Sequence, residues 1–133
     1  MAFVIKQGDN RPYLTELLFD GAKKYVDPTA LTVKFNMAQK STNIIDHGTA
    51  YVVAVTLDTA TATSLATSGY VDADGDPMSA GSYVGVEYRW EDPAATGTAG
   101  DMSYEWETTD VDDGILTFPS GSNNSLTIAA QVK

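Results

Sequence analysis

Two stretches of strict two-residue periodicity, 82–91 and 101–109, constrain this chain more than any other part of it. In the first, Val84, Val86, Tyr88 and Trp90 alternate with Tyr83, Gly85, Glu87, Arg89 and Glu91. In the second, Met102, Tyr104, Trp106 and Thr108 alternate with Ser103, Glu105 and Glu107. Successive side chains of an extended strand point to opposite faces, so each stretch carries one apolar, aromatic face and one wet, acidic face. A helix would scatter the acids among the aromatics. Residues 92–100 between them are turn formers with little apolar bulk. The pattern predicts a β-hairpin with a long loop and both tryptophans facing one core.

The rest of the chain repeats the theme in shorter pieces. Residues 2–5 and 31–37 read as strands, the latter with Leu31, Val33, Phe35 and Met37 in alternation. Residues 13–19 form an impure strand behind Pro12, since proline is tolerated at the first position of a strand. Strands are also expected at 43–46, 49–57, 115–118 and 126–132, with turns at 8–11, 20–24, 27–29, 72–77, 110–114 and 120–125. Residues 58–68 are rich in alanine, but their threonines and the lack of a wide apolar stripe disfavour a helix. They read as a loop with one helical turn. Strands recurring about every ten residues predict an all-β sandwich or barrel, and of these a single immunoglobulin-like β-sandwich of about seven to nine antiparallel strands is the preferred expectation. Residues 1–133 form one domain in this reading, and Phe35, Tyr88, Trp90, Tyr104 and Trp106 belong to its core.

Composition narrows the partners. At 133 residues and 43% apolar content the chain suffices for one packed core. A formal charge of −10 offers no basic surface for a phosphate backbone, so nucleic acid is not an expected partner. The absence of cysteine excludes disulfides and thiolate metal sites. No apolar run approaches the roughly 18 residues of a membrane span, and no basic-then-apolar leader opens the chain, so no membrane contact is expected.

Chemistry is sparse. His47, the one histidine, falls in a predicted turn without a local partner. Gly75 precedes no helix and therefore builds no phosphate-binding loop. Glu87, Glu91, Glu105 and Glu107 would gather on the outer face of the hairpin, and two carboxylates across a sugar are what glycoside hydrolysis needs. A solvated sheet face with Arg89 relieving the repulsion is the simpler reading. Asp72, Asp74 and Asp76 have the look of a calcium loop, but Tyr83 stands where an EF-hand requires glutamate. The expectation is therefore no catalytic residue, no cofactor and no metal, with Asp72, Asp74 and Asp76 as the weak alternative for a cation, beside Asp110, Asp112 and Asp113.

Several short segments, in order, resemble the N-terminal domain of phage baseplate upper proteins. They are Ile5-Lys-Gln-Gly-Asp-Asn-Arg-Pro12, Val33-Lys-Phe-Asn-Met37, Tyr88-Arg-Trp90, Gly97-Thr-Ala-Gly100, Leu116-Thr-Phe-Pro119 and Leu126-Thr-Ile128. Against that pattern, residues 58–78 look like a loop insertion. The resemblance implies an immunoglobulin-like virion structural module without catalytic residues. Such a module is made in the host bacterial cytoplasm and sits in the virion, at the tail baseplate, neck or capsid surface. Its partners are expected to be itself, as a homo-oligomer, and other virion proteins. The candidate contacts are Phe3 and Ile5 on the first strand, Tyr70 and Met78 in the insertion, and Pro93, Thr96 and Thr98 in the loop after Trp90. The alternative is a carbohydrate-binding module or a weak carbohydrate-active domain.

Overall fold

Alternation this regular yields strands. The computed structural model describes residues 3–118 and 124–131, with the backbone alone at 93 and 94. Ala2, Val132, Pro119 and most of the turn expected after it lie outside the described residues. The strands are β1 (Phe3–Lys6), β2 (Leu14–Glu16), β3 (Leu18–Phe19), β4 (Tyr25–Val26), β5 (Thr32–Gln39), β6 (Thr42–Thr49), β7 (Tyr51–Leu57), β8 (Gly81–Tyr88), β9 (Gly100–Thr109), β10 (Ile115–Phe118) and β11 (Asn124–Ala129). One helix, α1 (Thr59–Thr67), and a 3-10 turn, Pro93–Thr96, accompany them. The chain is mostly β, as its periodicity predicts.

β9 is the spine of the larger sheet. One side pairs with β5, from Thr32↔Thr109 to Ala38↔Ser103. The other side is shared end to end by β10, through Phe118↔Trp106, and β11, through Leu126↔Met102. β1 lies parallel to β11, and β6 antiparallel to β5. The second sheet has the order β2-β8-β7, and β3 and β4 form a separate short ribbon.

The predicted hairpin is not formed. Residues 82–91 and 101–109 keep their extended character and their apolar faces, but β8 and β9 belong to different sheets. The loop between them crosses from one layer to the other, starting from Trp90 with φ of 55°. Alternation determines which face of a strand is apolar. It leaves open whether that face lies beside its neighbour or across the core from it, and here it lies across. Phe35 of β5 stacks on Tyr88 of β8 at 4.3 Å and meets Trp106 of β9 at 4.9 Å. All five aromatic residues expected in the core are buried. Each indole N–H is satisfied, Trp90 by the Pro12 carbonyl at 2.9 Å and Trp106 by Glu16 at 3.2 Å.

Residues 58–78 also differ from expectation. They fold instead of looping. The Asp58 carboxylate caps α1 by accepting the Thr61 N–H at 2.7 Å. Ala62 is buried in a second, smaller cluster with Tyr25, Leu57 and Met78, flanked by Leu17, Phe19, Leu65, Tyr70 and Tyr83. This cluster lies on the face of β7–β8 opposite the main core, because Tyr83 alternates with Val84 and Val86. Two helix positions suffice for so small a contact, so a narrow stripe and a cap outweigh the cost of the threonines. The same two cores explain the impure strand at 13–19. Leu14 and Leu18 point into the main core, while Leu17 and Phe19 border the second.

Candidate functional site

Strand alternation forces an acid inward. In β2, Leu14 is buried and Thr15 exposed, so Glu16 turns toward the opposite sheet. There it accepts the Trp106 indole N–H at 3.2 Å and also hydrogen-bonds the Tyr104 side chain. Burial raises the Glu16 pKa above the ordinary carboxylate value, with the two hydrogen bonds acting in the opposite sense. Burial and the neighbouring Glu16 raise the Tyr104 hydroxyl as well. Glu16 and Trp106 line a cleft of about 340 Å³, whose other walls include Phe19, Lys23, Tyr70 and Phe118. Lys23 Nζ donates to the Ser68 carbonyl at 2.9 Å and lies 5.3 Å from the centre of the Tyr70 ring. The arrangement offers a hydrogen-bond acceptor at the floor and half-exposed aromatic edges, Phe19 and Tyr70, at the wall.

The aspartates considered for a cation serve their own turns. Asp72 Oδ1 accepts the N–H groups of Asp74 at 2.9 Å and Asp76 at 3.0 Å. Asp110 does the same for Asp112 at 2.9 Å and Gly114 at 2.8 Å, and Asp20 for Ala22 and Lys24. One geometry therefore recurs three times, a carboxylate closing a turn on the residues two and four places ahead. Among the described residues no three His, Cys, Asp or Glu side chains are grouped as metal ligands.

The four outer glutamates do not come together. Glu87 on β8 and Glu105 and Glu107 on β9 point away from one shared core, on opposite sides of the molecule. Glu87 takes hydrogen bonds from Arg89 at 2.7 Å and Thr15 at 3.0 Å, and Glu91 takes one from the Tyr51 hydroxyl. His47 does have partners, contrary to the sequence reading. Its Nδ1 lies 2.7 Å from Asp46 and its Nε2 3.3 Å from Glu107. Glu107 is two strands away through β5, a neighbour that sequence distance conceals.

Of the contact candidates, three are not at the surface. Ile5 is 2% exposed because alternation in β1 turns it inward beside Ile128. Met78 is buried in the second core. Thr96 is buried, with its hydroxyl donating to the Asp9 carbonyl at 3.0 Å. The loop around Thr96 is fastened to the start of the chain by Gly8 N–H to the Thr96 carbonyl at 3.0 Å and Gln7 to the Gly97 carbonyl at 2.8 Å. Phe3 is half-buried, stacked 5.9 Å from Trp90. Tyr70 is half-exposed, 4.6 Å from the Phe19 ring, and Thr98 is exposed. Pro93 begins the 3-10 turn, and its side chain is outside the described set. The sequence reading missed three exposed apolar side chains at the end of the β9–β10 hairpin: Val111 in the turn, 87% exposed, and Ile115 and Leu116, each 62% exposed, on opposite faces of β10. The adjacent apolar pair Ile115-Leu116, which breaks alternation, was the available signal.

No family model, curated protein or solved structure matches the chain.

Proposed function

We propose that this chain is a bacteriophage virion structural protein, a small docking module of the tail baseplate, neck or capsid surface, and not an enzyme. The fold belongs in this reading to the immunoglobulin-like β-sandwiches, supported by two sheets that share one aromatic core. The observation that carries the docking role is the exposed hairpin end. Val111 in the turn and Ile115 and Leu116 on the two faces of β10 leave both sides of this end apolar, beside Asp110, Asp112 and Asp113. Exposed apolar groups rimmed by charge mark contact sites more often than isolated ones do. A partner that clasps the hairpin end from both faces, with apolar walls edged by lysine or arginine, fits it. The experiment is incorporation into particles. Leu116→Asp is expected to fold normally, since the side chain is already exposed, and to reduce the amount of the chain in purified particles about tenfold or more. Absence of the wild-type chain from intact particles overturns the reading.

A carbohydrate-binding role is the second reading, favoured by the cleft with Glu16 at its floor and Phe19 and Tyr70 at its wall. Binding on a glycan array that is lost in Tyr70→Ala and kept in Leu116→Asp would select it over particle docking.

A further inference from the structure

β7 closes one edge of the three-stranded sheet. It pairs with β8 in unbroken register from Tyr51↔Glu87 to Leu57↔Gly81, and no other strand among the described residues pairs with it. Sheet edges are ordinarily protected by charge, proline, a bulge or shortness. β7 reads Tyr-Val-Val-Ala-Val-Thr-Leu and has none of these. The other edges are blunted or short. β6 carries register shifts and a left-handed residue at His47, β2 has three residues and follows Pro12, β1 has four residues and ends in Lys6, β10, which pairs with β9 alone, has four, and β3 and β4 have two each.

The face of β7 gives a second observation. Val52 lies opposite Val86 and Ala54 opposite Val84, so both continue the core side of β8. Val86 is 0% exposed, whereas Val52 is 41% exposed and Ala54 is exposed too. The apolar strip of the second sheet thus runs on into solvent.

We infer that β7 is the seat of a second copy of this chain, the two β7 strands pairing antiparallel about Ala54 into one continuous six-stranded sheet. The strand is self-complementary about that point. Tyr51 falls opposite Leu57 of the other copy, Val52 opposite Thr56, Val53 opposite Val55, and Ala54 opposite itself. Cross-strand pairs of aromatic and β-branched residues are the stabilising kind. Charge selects this edge as well. Two copies of a chain with a net charge of −10 repel wherever acids meet, and β7 is a seven-residue strand without Asp, Glu, Lys, Arg or His. A closed twofold pairing also leaves no further β7 edge for a third copy. This deepens the docking reading by naming where copies of the module meet, and it rests on that reading only for its setting in a particle.

The absence of cysteine makes a direct test simple. Residues facing each other across an antiparallel pair have Cα atoms about 4.5–5.5 Å apart, inside the range a disulfide can span. The purified full-length Ala54→Cys variant should form a covalent dimer on mild oxidation, while Thr117→Cys on β10 should not. Sedimentation of the wild type should show a monomer–dimer equilibrium. Ala54→Lys should weaken it at least about tenfold by setting like charges face to face, and an equal mixture of Ala54→Lys with Ala54→Glu should restore dimers. A wild type that stays monomeric at millimolar concentration, dimers that survive Ala54→Lys, or no cross-link at Ala54→Cys overturns the inference. If the chain is still found in particles in that event, the docking reading stands and only this edge is removed.

Discussion

Glu16 is a carboxylate that strand geometry places where water is scarce. Its raised pKa means that, in the window above 4.5, the folded protein holds a proton that the unfolded chain has released. Stability therefore falls as pH rises from the unfolded value through the folded one, and the whole cost is present above that window. Glu16→Gln keeps an acceptor for the Trp106 N–H and has no charge to bury. Its urea midpoint should change less than that of the wild type between pH 4.5 and about 7. Identical profiles for the two proteins would show that Glu16 carries no such burden. Trp106 fills the centre of the core beneath it at 1% exposure. Trp106→Ala should cost about 3–5 kcal/mol, a large share of the roughly 5–15 kcal/mol of an ordinary domain, read as a fall in the denaturant midpoint. The inward aromatic residues were legible from alternation alone. Alternation also set Glu16 on the face of Leu14 and Leu18, but its bonds to Trp106 and Tyr104 were not legible, because a strand pattern gives no sign of what lies across the core. Gly85 is a similar case. A Cβ there would lie 2.4 Å from the Glu16 carbonyl oxygen, a close approach between β8 and β2 that periodicity does not reveal.

The elements divide by what holds them. Turns were readable because their chemistry is local. The aspartates at 20, 72 and 110 bond backbone within four residues of themselves. It follows that the first aspartate of the 72–76 turn matters more than the others. Asp72→Ala should lower stability by about 1 kcal/mol through two lost backbone hydrogen bonds, and Asp74→Asn should stay within about 0.5 kcal/mol of wild type. Millimolar calcium should leave the melting temperature of either variant, and of the wild type, where it was; a rise of several degrees that disappears in Asp74→Asn would restore the cation site. Pairing partners, by contrast, are distant. β8 and β9 look like neighbours in sequence and face each other across the core, and α1 gains its place from Leu57, Met78 and Tyr25, which no local window contains. The loop of residues 92–100 appeared free for a partner and is instead tied down through Thr96 and Gly97.

At the scale of the whole molecule, two surfaces stand apart from the acidic exterior. The hairpin end of Val111, Ile115 and Leu116 suits a different protein, and the β7 edge suits a second copy. They belong to different sheets, so a module using both could join a copy of itself and another component at once. The two substitutions that test them separate the roles. Leu116→Asp should leave the monomer–dimer equilibrium intact, and Ala54→Lys should leave intact the exposed side chains of the β9–β10 hairpin end. The topology also has a consequence in time. β1 is completed in its sheet only by a parallel partner, β11, and every other strand lies between the two in the chain. While the chain is being synthesised, Phe3–Lys6 has no strand to pair with until β2 to β10 have all been made. The hydrophobic side chains of β1 thus wait uncovered along that edge while the intervening strands emerge from the ribosome, and the arrival of β11 is the event that closes this sheet.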